Sequence, residues 1–99
     1  MYTRYINMAR QKEHDLYQEL INSKFSFVPK GRINIEEIYE SVSTEFPKLC
    51  DNTYYCSENC NSGNNQPEWK HTVRNALQKL KNTSTQISFT GQRGFWKFE

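Results

Sequence analysis

Cys50, Cys56 and Cys60 fall within eleven residues of one another, and His71 follows after ten more. Zinc takes four nitrogen or sulfur ligands in a tetrahedron, and three thiolates with one imidazole meet that count. A bound metal would also give a reason for ordering the polar stretch that carries them. The spacing is not the usual C-x2-C or C-x4-C knuckle; Cys56 and Cys60, with three residues between them, come nearest. His14 is a distant alternative ligand. Three free thiols, tucked beside Tyr54 or Tyr55, are the other reading of the same residues.

Other chemistry finds little support. A nuclease centre needs clustered carboxylates that hold a metal, often with a lysine on a strand. Here the carboxylates Glu36, Glu37, Glu40 and Glu45 share one helical stretch and read as a solvated face. Cys60 with His71 is a conceivable nucleophile pair, but nothing supplies an oxyanion hole. No glycine-rich phosphate loop is present. The expectation is a chain that is not itself an enzyme, although it suits an accessory domain of a nuclease.

The elements that must position these residues come from a short chain. Its 99 residues, with 14% aromatic and 24% charged side chains, give one domain, expected to span 1–99, and too many aromatics for disorder. The first ten residues lack the apolar core of a signal peptide, and no apolar run is long enough to span a membrane. With an odd number of cysteines, this suggests a reducing compartment: cytoplasmic, and at the nucleoid if the source is bacterial.

Leu16 and Leu20, with Tyr17 and Ile21 beside them, predict a first helix over Arg4 to Ser23, with Arg10, Lys12, Glu13, Asp15 and Glu19 on its solvated face. Pro29 stops the aromatic stretch that follows, and Ile33 fits a short strand. Asn34 is a good N-cap with Glu37 placed to complete a capping box, and Ile33 and Ile38 are spaced for a hydrophobic staple. Ile35, Ile38, Tyr39, Val42 and Phe46 keep helical spacing until Pro47. Residues 48–66 are a Cys- and Asn-rich insertion loop, long for a small domain. Pro67 opens a third helix over 67–82. Trp69, Val73, Ala76, Leu77 and Leu80 share its apolar face, with His71, Asn75, Gln78 and Asn82 opposite and Lys70, Arg74 and Lys81 on one shoulder. Residues 86–89 and 95–98 then pair around the turn 90–94 as a hairpin.

Three helices closed by a C-terminal two-stranded hairpin form the winged helix-turn-helix arrangement, an α+β fold. The hairpin cannot bury its apolar face alone, so it packs over the helices and leaves its turn projecting as a wing. The third helix of such a fold enters the major groove of DNA, and the wing reaches an adjacent groove or the backbone. The charge agrees with that assignment. Its total of +2 says little, but residues 1–33 carry net +3, residues 34–60 net −5 and residues 67–99 net +4. The positive segments coincide with the elements such a fold presents to DNA.

The stretch Gln66-Pro67-Glu68-Trp69-Lys70-His71-Thr72-Val73-Arg74-Asn75-Ala76-Leu77-Gln78-Lys79-Leu80-Lys81, followed by Gly91-Gln92-Arg93-Gly94-Phe95-Trp96-Lys97, resembles winged-helix modules attached to bacterial restriction endonucleases. These include the Mrr-type N-terminal domain and the C-terminal module of adenine-methylation-dependent enzymes. The likeness covers about a third of the chain; a weaker one extends to forkhead domains, which lack the cysteine loop. It implies double-stranded DNA as partner and a module that reads sequence or modified bases in a restriction-type system, with a nuclease domain or partner protein as a further associate. Under it, Arg74 contacts guanine or phosphate, and Asn75 and Gln78 pair with adenine in the major groove. Lys70, His71 and Lys81 take phosphates or base edges, and Gln92 and Arg93 act from the wing. Trp69 reads as core; Trp96 either packs on the third helix or stacks on a modified base. A protein-interaction domain that uses the acidic second helix is the alternative.

Overall fold

The computed structural model describes the backbone of residues 2–54 and 66–99, and the side chains of 11–54 and 66–99. Its elements are α1 (Tyr2–Ser23), β1 (Gly31–Asn34), α2 (Ile35–Glu45), α3 (Glu68–Thr83), β2 (Ile87–Phe89) and β3 (Phe95–Phe98). The fold is α+β: three helices and one antiparallel sheet of order β1-β3-β2. The hairpin expected at the C-terminus is therefore two thirds of a sheet. β1 adds the third strand, placing Ile33 opposite Trp96 and Asn34 opposite Phe95.

α1 packs against α3 through Leu16 and Leu20, both fully buried. Burial of such a side chain contributes about 1.5–3 kcal/mol. α1 ends in an unusual way. Lys24 and Phe25 both adopt left-handed backbone (φ 52° and 56°), a conformation disfavoured for residues with a Cβ. It persists because the turn is well tied. The Lys24 amide donates to the Leu20 carbonyl (2.9 Å), and the Phe25 ring lies in the core against Phe27 and Phe98.

Asn34 caps α2: its Oδ1 accepts from the Glu36 amide (2.9 Å), one residue earlier than a capping box with Glu37 requires. Ile33 and Ile38, the expected staple, are both buried, with Tyr39 and Val42 completing the inner face of α2. Pro67 sits at the N-cap of α3, just outside the first turn, and contributes no side-chain cap. The buried face of α3 is Trp69, Thr72, Val73, Ala76, Leu77 and Leu80. Ile87, Trp96 and Phe98 close the core from the sheet.

One expected surface residue is internal. Glu13, assigned to the solvated face of α1, is 9% exposed and hydrogen-bonded to Thr72 of α3. Its position three residues before Leu16 and seven before Leu20 puts it on the apolar stripe itself. The start of the insertion loop also reaches the core, where Cys50 is buried. Among the described residues no helix is long and apolar enough to cross a membrane.

Candidate nucleic-acid interface

The outer side of α3 exposes Asn75, Gln78, Lys79, Lys81 and Asn82 in one continuous band, as its amphipathic spacing requires. Next to it projects the β2–β3 turn. Gly91 and Gly94 supply the positive φ values (90° and 85°) that let the chain reverse there. Thr90 fixes the turn: its hydroxyl donates to the Phe95 carbonyl (3.0 Å) and accepts from the Gln92 amide (3.1 Å). The Ile35 amide donates to the Gly94 carbonyl (2.7 Å), tying the turn to the start of α2. Gln92 and Arg93 stand exposed at its tip.

Between α2, α3 and this turn lies a cleft of about 320 Å³. Arg74 and Gln78 enter it from α3, Arg93 from the turn, and Phe89 and Trp96 form its apolar wall. Trp96 is buried, whereas Phe89, its cross-strand partner, is 43% exposed with the rings 5.3 Å apart. Phe89 lies on the core face of the sheet, at the end where the core runs out.

Arg74 is not a swinging side chain. Its Nη1 donates to Tyr39 Oη (2.9 Å) and to Gln66 Oε1 (2.7 Å). Both protons of that nitrogen are spent within the protein, so Arg74 contributes a fixed charge to the cleft. Tyr39 in turn meets the Trp69 ring edge to face (5.8 Å), and the Trp69 indole donates to Asn52 Oδ1 (2.8 Å). The insertion loop is thereby linked through two buried rings to the cleft arginine. Gln66 and Phe89 were not among the expected site residues; alternation in β2 is the signal that places Phe89 on the inner face with Ile87.

The remaining site candidates divide. Lys70 lies over the Tyr39 and Trp69 rings (5.2 and 5.8 Å), a cation–π arrangement that holds it toward α2. His71 is half-buried, with its Nδ1 enclosed and 3.5 Å from Glu68 Oε1, which draws it away from the outer band where Asn75 lies. Lys81 is exposed. A second basic surface, not anticipated from spacing, is the outer face of the sheet. There Arg32 and Lys97 are direct cross-strand neighbours, and the Arg32 guanidinium covers the Phe95 ring at 4.7 Å.

Of the proposed zinc ligands, Cys56 and Cys60 lie outside the described residues. Cys50 is enclosed, and burial, with the Glu13 carboxyl nearby, pushes its thiol up to about 12. Among the described residues no group of three or more His, Cys, Asp or Glu side chains is placed to hold a metal.

No protein-family model, curated protein or solved structure matches this chain.

Proposed function

We propose that this chain is a winged-helix domain that binds double-stranded DNA, with α3 in the major groove and the β2–β3 turn as the wing on an adjacent groove or the backbone. The observation that carries the reading is the convergence of Arg74 and Gln78 from α3 with Arg93 from the turn on a single cleft. A helix and a projecting turn that share cations across one cleft suit the two contacts such a domain makes with a duplex. The exposed Asn75 and Gln78 amides have the donor–acceptor pair that adenine presents in the major groove. Lys79, Lys81, Arg93, Arg32 and Lys97 are placed for phosphates. The residue resemblance supports a module that reads sequence or modified bases in a restriction-type system.

The test is a titration of labelled duplexes, with and without methylated bases, across a salt series. Neutralising about five phosphates gives a slope of log affinity on log salt of about −4.5. Arg93→Ala lowers affinity on every duplex. Absence of duplex binding at low salt overturns the reading.

A further inference from the structure

A second concavity, of about 500 Å³, lies along the other flank of α2, between that helix and the segment leading into β1. Phe27, Pro29 and Ile33 make its apolar floor and wall; Glu37, Glu40 and Glu45 line the α2 side. The floor is firmly held. Ile33 is a core residue, and Phe27 meets the Phe46 ring edge to face at 5.5 Å. All three glutamates are exposed, and no basic residue lines the groove. Among the described residues, the ion pairs within 4.0 Å involve none of the three.

We propose that this groove docks a lysine- or arginine-rich segment of a partner protein that carries one bulky apolar side chain. Apolar surface left open to water favours an apolar occupant, and carboxylates without cations beside them favour a positively charged one. The two requirements fall within one short segment. Glu37 to Glu45 spans eight residues of helix, about 12 Å at 1.5 Å per residue, which an extended peptide crosses in about four residues at 3.3 Å each. The same carboxylates repel a phosphate backbone, so a nucleic acid is the wrong occupant. The groove and the cleft use different residues of α2: Glu37, Glu40, Ser41, Thr44 and Glu45 against Ile35, Glu36 and Tyr39. The proposal therefore stands independently of DNA binding.

Three labelled ten-residue peptides test it by fluorescence anisotropy on the full chain at about 0.15 M salt. One places four Lys or Arg around a central leucine, the second replaces that leucine by glycine, and the third replaces the basic residues by glutamate. The expected result is binding of the first in the tens of micromolar range, at least tenfold weaker binding of the second, and none of the third. Amide shifts on adding the first peptide should cluster at Phe27, Ile33, Ser41 and Thr44. Glu37→Gln with Glu40→Gln and Glu45→Gln, or Ser41→Arg alone, should weaken it at least tenfold while leaving the melting transition in place. Equal binding of the leucine and glycine peptides would reduce the groove to general charge attraction and overturn the proposal, as would no binding. Concentration-dependent self-association that Ser41→Arg abolishes would assign the groove to a second copy of the chain instead, and also overturns it.

Discussion

Thr72 Oγ1 lies between Glu13 Oε2 of α1 and the Glu68 carbonyl oxygen one turn back in α3, within hydrogen-bonding reach of both. The hydroxyl has one proton for two acceptors. A protonated Glu13 resolves the conflict, donating to Thr72 Oγ1 while Thr72 donates to Glu68. Burial favours that neutral form, pushing the Glu13 carboxyl up to about 7; the Glu68 and Asp51 carboxylates add to the rise, and the Thr72 hydrogen bond opposes it.

The first prediction is a pH dependence of stability. The folded chain holds a proton on Glu13 that the unfolded chain releases near the ordinary value of 4.5. The contribution of Glu13 is therefore fully present below pH 4.5 and is lost as pH rises through about 7. Glu13→Gln keeps a donor for Thr72 Oγ1 through its amide and has no charge to desolvate. It should remove this dependence and raise stability at pH 8 by about 1–3 kcal/mol. Urea unfolding midpoints between pH 5 and 8 check it; parallel curves for the two proteins would refute it.

Asn52 is the sole described hydrogen-bond acceptor of the Trp69 indole, which is 4% exposed. Asn52→Ala strands that buried N–H and should cost about 1–3 kcal/mol. Trp69 also packs on Tyr39, which holds Arg74. The same variant should therefore weaken duplex binding although it lies outside the cleft. Denaturant melts and duplex titration together check this, and a loss of stability with unchanged binding would break the link.

Cys50 should react slowly. Its thiol is enclosed and held up to about 12, so the thiolate that alkylating reagents need is scarce at neutral pH. Iodoacetamide labelling followed by peptide mass analysis should show Cys50 modified fully in urea and hardly at all in the folded chain. Metal analysis of protein purified without chelator tests the competing four-ligand arrangement. Near-stoichiometric zinc that disappears on Cys50→Ser would show that a metal, and not the apolar surroundings, protects this thiol.

Gln78 and Lys81 should fail differently under the DNA-binding reading. Gln78→Ala should cost about 1–3 kcal/mol on the preferred duplex and relax selectivity at one base pair. Lys81→Ala should weaken all duplexes alike and lower the salt slope by about 1. A duplex panel at two salt concentrations separates the two; identical profiles would contradict the assigned roles.

Features set by neighbours along the chain were legible in the sequence. The Asn34 cap follows from residue type just before an apolar-periodic run, the apolar faces of α2 and α3 from spacings of three and four residues, and the turn at 90–94 from its place between two alternating segments. What was misread depends on partners far away. Glu13 sits at core spacing with Leu16 and Leu20, but a carboxyl there makes sense only once its hydrogen-bond partner Thr72, 59 residues on, is seen. The left-handed pair Lys24 and Phe25 has no glycine to announce it; the Lys24 amide bond to Leu20 and the burial of the Phe25 ring account for its persistence. Arg74 was legible only as a DNA contact, because helical spacing within α3 does not show that Tyr39 and Gln66, both outside that helix, hold its guanidinium. The cleft and the groove come from packing between elements, which periodicity within one element does not encode.

Asn34 is at once the last residue of β1 and the cap of α2, with no linker between them. Sheet registration and the roll of α2 about its own axis are therefore a single setting. Sliding β1 by one position against β3 would turn Ile33 outward and carry Ile38, Tyr39 and Val42 out of alignment with it. Because the cleft and the acidic groove occupy two flanks of that one helix, the direction each faces relative to the sheet is indexed by the strand pairing. One extra residue between Asn34 and Ile35 would part the cap from α2 and misalign both surfaces together.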